Sequence, residues 1–288
     1  MTTRDPLFSI TADAKRVARI AIAEDGDRDV TSDALSTHAN VCGLVVVKEP
    51  AVVAGLTYAT AVCDQLECRS AWKVVDGAMV GAQTPIGTLS GSLSAVLRAE
   101  RPMLNLLQRA TGIATTTRTY VDALAGTGCT VLHTRKTAPG LLLLDVQAVM
   151  AGGGGQHRLG LDRELMVKDN HWAALAVTGG SLRDMVASAI AHGVKVIHVE
   201  VENTAQIREA IEVGATRLLI DNRTPEVFRE LAKLAKELDD GVEVEATGNV
   251  TLNVVREYAE GGAQFVSVGA LTHSVRAADI GVEFELSS

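Results

Sequence analysis

From about Thr116 onward, short β-branched apolar runs alternate with longer windows in which apolar residues recur every three or four positions. The runs Thr130–His133, Leu165–Lys168, Val194–Val201, Arg217–Ile220, Val242–Glu245 and Phe265–Val268 predict strands. The windows Gly140–Ala151, Ser181–Ala191, Thr204–Val213, Pro225–Leu238 and Leu252–Glu260 predict helices. Gly193, Gly214 and Gly261 stand just past three of them, as helix C-termini prefer. Six βα units in succession predict a parallel sheet, closed or nearly closed into a barrel, with its chemistry in the loops after the strands' C-terminal ends.

The chain before Thr115 has no such regular alternation. Thr11 is a candidate cap for a helix reaching about Glu24, with Val17, Ile20 and Ala21 on its apolar side. The acidic run Glu24–Thr31 lacks the alternation and closing glutamate of an EF-hand, so it predicts a solvated turn rather than a calcium loop. Leu44–Val47 and Ala51–Ala54 predict strands around Pro50, and Asp76-Gly77, Gly81, Gly87 and Gly91 predict tight turns. That glycine rhythm is similar to a biotinyl or lipoyl carrier domain, but no lysine stands at a hairpin tip within it. A helix follows from about Ser92 past Gly112.

Composition narrows the partners. Aromatic residues are 3% of the chain, which disfavours a single-strand stacking platform. A net charge of -8 and a pI near 5.4 disfavour nucleic acid as a bulk electrostatic partner. Any anionic ligand must be held by a local cluster of cations. Cys42, Cys63, Cys68 and Cys129 form no paired CxxC and predict reduced thiols. The first ten residues do not read as a signal peptide, and Leu141–Leu144 is far too short to span a bilayer, so a soluble, cytoplasmic protein with no membrane partner is expected.

The predicted strand ends carry a series of titratable or glycine residues: Thr134-Arg135-Lys136-Thr137, Lys168-Asp169-Asn170-His171, Glu200 and Glu202, Asp221-Asn222, Glu245 to Asn249, and Gly269-Ala270. Gly152–Gly155 leads into His157-Arg158. Arg135, Lys136, His157, Arg158 and Lys168 form a cationic group suited to a polyanionic substrate, because arginine grips carboxylate or phosphate through two hydrogen bonds. Glu200 and Asp221 can accept ribose hydroxyls or hold Mg²⁺ through waters. Thr247, Gly248 and Gly269 predict backbone N–H groups at helix starts, a phosphate cradle. Each piece also has a plainer reading. Lys168 could serve as a Schiff-base lysine, the glycine run as a flexible connection, His157 as a structural histidine, and one of Glu200 and Glu202 as a rim residue.

Glu100-Arg101, Leu104-Asn105, Gln108-Arg109 and Gly112–Thr115, followed by Thr134–Thr137 with Pro139-Gly140, resemble the signature of quinolinate phosphoribosyltransferases. So do the glycine run with His157–Leu161, Lys168–His171, Glu200–Asn203, Asp221-Asn222 and Ser267–Ser274. The resemblance implies an N-terminal α/β sandwich domain, 1–115, rejoined by 274–288, and an incomplete parallel α/β barrel, 116–273, of the type II phosphoribosyltransferases. It implies transfer of phosphoribosyl from phosphoribosyl pyrophosphate to quinolinate, with decarboxylation, in NAD biosynthesis. A paralogue acting on another acidic or heterocyclic base is the alternative, and a binding module without turnover is a third. By resemblance, Lys136, Lys168, Glu200 and Asp221 are catalytic, and Glu200 and Asp221 face the ribose and Mg²⁺. Arg135, Lys136, His157, Arg158 and Lys168 line the dicarboxylate and pyrophosphate pocket, and Thr247, Gly248 and Gly269 hold the 5′-phosphate. Arg101 reaches the quinolinate of a neighbouring subunit, which requires a homodimer or higher homo-oligomer with shared sites. Leu142 and Val146 stand where family members usually carry Arg and Lys, and His133 where an Asp is frequent.

Overall fold

The computed structural model describes residues 9–35 and 39–284. In chain order the first elements are α1 (Ile10–Glu24), α2 (Val30–Ala34), β1 (Asn40–Val47), β2 (Ala51–Val52), α3 (Leu56–Gln65), β3 (Arg69–Trp72), β4 (Met79–Val80), β5 (Thr84–Ser92) and α4 (Leu93–Ala123). Then come β6 (Thr130–Leu132), α5 (Leu142–Ala151), β7 (Leu165–Val167), α6 (Asp169–Thr178), α7 (Leu182–Ala191), β8 (Ile197–Val201) and α8 (Thr204–Glu212). The last are β9 (Arg217–Asp221), α9 (Pro225–Leu238), β10 (Glu243–Thr247), α10 (Val255–Glu260), β11 (Phe265–Ser267), α11 (Ala270–His273) and β12 (Ile280–Phe284).

Two compact units emerge, and neither is continuous in sequence. One gathers the described residues of Met1–Arg118, Lys136–Gly154 and Ala270–Ser288, the other those of Thr119–Arg135 and Gly155–Gly269. In the first, an antiparallel sheet has the order β12-β1-β5-β3, so among the described residues the last strand lies against the first. Ile86, Leu89, Val45 and Val47 are fully buried there. Ser9, not Thr11, caps α1, accepting the Ala12 N–H at 3.4 Å. The acidic turn ends in a cap as well: Asp29 accepts the N–H groups of Thr31 and Ser32 and starts α2, an arrangement worth about 1 kcal/mol.

The second unit is the incomplete barrel. Its six strands are all parallel in the order β6-β11-β10-β9-β8-β7, so the ring is open between β6 and β7. Residue Gly155 partly occupies that opening by bridging to Leu132, its N–H donating to the Val131 carbonyl at 2.8 Å. A Cβ at Gly155 would meet Leu132 at 2.8 Å and Thr130 at 2.9 Å, and one at Gly154 would meet Val149 at 2.7 Å. The glycine run is therefore set by close backbone approach, not by a need for a loose connection. On the outside, α9 shows how the helices form: Pro225 opens it, and Phe228, Leu231, Ala232 and Ala235 fall on one buried face. Among the described residues no helix is long and apolar enough to cross a membrane. All four cysteines are free, with Cys63 and Cys68 buried.

Candidate active site

The C-terminal ends of β7, β8 and β9 bring three sequence-predicted residues together. Lys168 follows β7 and caps α6, donating its backbone N–H to His171 Nδ1 at 2.9 Å. Its Nζ reaches Glu200 Oε2 on β8 at 2.8 Å. The Nζ that a Schiff-base reading would need free is engaged by the Glu200 carboxylate instead. Burial pushes the Glu200 carboxyl up, the neighbouring Asp221 charge adds to that, and Lys168 opposes both. Glu202, which the alternation placed on the same face, lies beyond the end of β8, is exposed, and pairs with Arg223 at 2.7 Å. It is the rim residue of the two.

Asp221 ends β9 directly across from Thr247 on β10. The turns after both strands interlock: Asn222 donates to Asp221 Oδ2 at 2.7 Å, and Asn249 donates to Asn222 Oδ1 at 3.0 Å. Gly248 sits there at φ 78°, and a Cβ on it would run into Asn222 and into Asp221 Oδ1 at 2.6 Å. Thr247 and Gly248 do not open a helix, because α10 begins only at Val255. Their N–H groups belong to a left-handed turn instead, since Asn249 follows at φ 51°. Gly269 immediately precedes the four-residue α11, a single turn.

A second group lies at the opening of the ring. Burial and the charge of Arg135 both depress the Arg158 guanidinium below its ordinary value, with Glu164 opposing. Two cations held this close without a full complement of carboxylates make a local anion trap in an acidic chain. His157 Nδ1 accepts the Arg158 backbone N–H at 2.7 Å, and its Nε2 faces Glu245 Oε2 at 3.5 Å. Burial would raise the fully enclosed Glu245, but His157, Ser267 and Arg217 more than offset it and hold the carboxylate ionised. His198 packs edge-on to His157 with ring centroids 5.5 Å apart, and burial beside Arg217 pulls it down to about 4. His198 and Arg217 escaped the sequence reading as site residues, whereas Glu245 stood in the strand-end series and Ser267 in the family signature, neither with a role. His198 left a further signal, two positions before Glu200 and therefore on the same face of the strand.

Two expected residues belong to the other unit and are described there. Arg101 is exposed on α4. Lys136 begins the segment that leads into α5, and its carbonyl accepts the Thr272 hydroxyl at 2.8 Å. The same loop is tied down at Ala138, whose N–H donates to Asp145 at 3.3 Å, and Arg109 grips Asp145 through two bonds of 2.8 Å. Arg109 also reaches the Thr272 carbonyl at 3.0 Å. Val146 is buried, and with it the helix face next to Asp145 is apolar.

Models of known families match both parts of the chain. The N-terminal domain of quinolinate phosphoribosyl transferase matches residues 29–111, and the C-terminal domain matches 113–283. The chain belongs to the quinolinate phosphoribosyltransferase family. It is 36% identical over 293 residues to the chloroplastic nicotinate-nucleotide pyrophosphorylase [carboxylating] of Arabidopsis thaliana, covering 96% of this chain and 84% of that one. Against the probable nicotinate-nucleotide pyrophosphorylase [carboxylating] of Bacillus subtilis it is 37% identical over 268 residues, 91% of this chain and 90% of the relative. Among solved structures, the nicotinate-nucleotide pyrophosphorylase from Francisella tularensis superposes with a TM-score of 0.87 at 29% identity, covering 98% of this chain and 99% of that one. The family's two-part build, sandwich and open barrel, is the build seen here.

Proposed function

We propose that this chain transfers phosphoribosyl from phosphoribosyl pyrophosphate to quinolinate and releases pyrophosphate and CO2, forming nicotinate mononucleotide for NAD biosynthesis. The observation that carries the reading is the pairing of an anion trap, Arg135 and Arg158, with the Lys168–Glu200 pair and Asp221 in a chain matched along nearly its whole length by one enzyme family. Arg135, Arg158 and Lys168 grip the acid, with His157 in the pocket wall. Family resemblance adds Lys136 to the dicarboxylate and pyrophosphate pocket, and Thr247, Gly248 and Gly269 to the 5′-phosphate. As the pyridine nitrogen attacks C1 of the ribose, the C1–O bond to pyrophosphate breaks and the sugar passes through an oxocarbenium-like centre. Glu200 and Asp221 face that developing positive charge. Loss of the 2-carboxylate as CO2 leaves its electron pair on C2 in the plane of the ring, stabilised by the adjacent pyridinium nitrogen, and a proton from solvent then takes the place of the carboxylate at C2.

Mg²⁺ fits the same carboxylates. Burial raises Glu200 and the charge of Asp221 on the adjacent strand adds to it, and a divalent cation bound through their waters would favour both carboxylates ionised. When bound, the ion supplies charge neutralisation of the pyrophosphate leaving group. We place the enzyme in the cytoplasm as a homodimer or higher homo-oligomer, in which Arg101 serves the neighbour's quinolinate. The direct test supplies phosphoribosyl pyrophosphate and Mg²⁺ with quinolinate, nicotinate or other bases and identifies the product by mass. Nicotinate mononucleotide from quinolinate alone supports the reading. A nucleotide of another base, and none from quinolinate, overturns it in favour of a paralogous transferase.

A further inference from the structure

On the inner face of the parallel sheet, one buried imidazole nitrogen, His198 Nδ1, has no hydrogen-bond partner among the described residues. Side chains two apart on a strand share a face, so His198 lies one step below Glu200 on β8. In register beside His198 stands Arg217 on β9, and Arg217 in turn pairs with Glu243 at 2.7 Å and with Glu245 at 3.1 Å on β10. Under the strand-end carboxylates there is thus a polar layer, where barrels usually carry branched apolar side chains.

Within that layer the two histidines differ in their bonding. His157 is fully engaged by its own chain. Its Nδ1 accepts the Arg158 N–H, which puts the ring proton on Nε2, aimed at Glu245; its carbonyl meets His133 Nε2 at 3.2 Å. His198 is 4% exposed, and its Nδ1 is buried with no hydrogen-bond partner among the described residues. The nearest carboxylate, Glu164 Oε2, is 3.8 Å away, beyond hydrogen-bond reach. Buried polar atoms are almost always paired, so a lone one beside an anion trap points to a partner that arrives from outside.

We propose that His198 is a substrate-binding residue, its Nδ1–H donating to a carboxylate oxygen of an aromatic dicarboxylic acid, and that His157 is a positioning residue that sets Arg158. Arg158 and Arg217 both act on the His198 ring, but Arg217 is already paired with Glu243 and Glu245, so Arg158 is the cation left to meet an anion there. His157, Glu164 and His198 also present ligand atoms within 4.8 Å of one another. A metal is nevertheless disfavoured, because His157 Nδ1 already accepts the Arg158 N–H and its Nε2 carries the ring proton, so neither nitrogen has a lone pair free for one. The inference rests on the proposed activity for the identity of the acid.

Calorimetry of quinolinate binding to the full-length protein and its variants tests it. H198L should weaken quinolinate binding about 10- to 100-fold, the loss expected for one hydrogen bond to a charged group, with phosphoribosyl pyrophosphate affinity unchanged. H198N, which carries an amide nitrogen near the position of Nδ1, should restore much of the loss. Nitrogen NMR of the wild-type protein labelled at histidine gives a second readout that needs no variant to fold. Quinolinate should move the His198 Nδ1 resonance and leave the His157 tautomer as it is. Undiminished quinolinate affinity in H198L, or a His198 resonance that saturating quinolinate does not move, overturns the assignment while leaving the activity intact. A wild-type protein that binds no quinolinate sinks the functional reading and this inference with it.

Discussion

Two cation–carboxylate pairs in this molecule share their chemistry and differ in how much of it is used. In the first unit Asp145 is wholly buried, takes both arms of Arg109 at 2.8 Å and accepts the Ala138 N–H besides. In the barrel Glu200 takes a single bond from Lys168 at 2.8 Å and shares its surroundings with the carboxylate of Asp221. Arg109–Asp145 is saturated and holds the loop that follows β6. Lys168–Glu200 keeps donor and acceptor capacity in reserve, and the Lys168 side chain is 43% exposed. Residual bonding capacity, rather than charge or burial, distinguishes a site from a clasp.

The largest expected effect exchanges the two roles. Asp145→Ala leaves Arg109 with no counterion in the interior and should cost about 3–5 kcal/mol of stability, measured by urea unfolding. Glu200→Gln should stay within about 1 kcal/mol of wild type, since burial already favours a neutral group there and Lys168 can turn to water. Turnover in Glu200→Gln should nonetheless fall by about 100-fold or more. Equal destabilisation by the two substitutions would erase the distinction.

Next in size come the cations of the anion trap. Arg135→Ala or Arg158→Ala should weaken quinolinate binding by about 2–5 kcal/mol, because each leaves a substrate carboxylate unpaired. The melting temperature should barely move, as neither guanidinium is anchored the way Arg109 is. Quinolinate affinity equal to wild type in either variant would take that residue out of the pocket.

Mixing two inactive variants extends the comparison to the assembly. If Arg101 serves a neighbouring subunit, Arg101→Ala and Lys168→Ala combined under subunit exchange produce mixed dimers with one intact site. Up to about a quarter of wild-type activity should return at equal mixing. Verified exchange without recovery would mean that Arg101 acts in its own chain or not at all.

The smallest effect is a pH dependence. Burial depresses His133 below its ordinary value, so the folded chain binds that ring proton less tightly than the unfolded chain does. Its neutral form is compatible with full stability above pH 6.5, and as pH falls below that value protonation favours the unfolded state. His133→Asn should lose less stability than wild type as pH falls from about 7 to about 5.5. Parallel stability curves for the two proteins would remove His133 from the acid response.

How far the sequence carried depends on the kind of interaction. The six barrel strands were legible because each is a short β-branched run, and Pro225–Leu238 because its apolar residues recur at helical spacing. Strand ends then pointed to Lys168, Glu200 and Asp221 as neighbours, since parallel strands in chain order set their C-terminal residues side by side. Helix α6 was missed because it buries no side chain and so has no apolar stripe to read. Strand β12 was missed because Ile280–Phe284 is short and its partner, β1, lies at the far end of the chain.

By itself, then, the sequence determined the alternating architecture, the cationic character of one end of the barrel and the family signature, all of which are local in the chain. Tertiary structure alone decided which groups are already satisfied. Whether Asp145 is closed by Arg109, whether Gly155 occupies the opening beside β6, and whether His198 keeps a bare nitrogen all depend on register and approach between segments distant in sequence. A hydrogen bond is made or left unmade over a few tenths of an ångström, and residue order alone does not hold that distance.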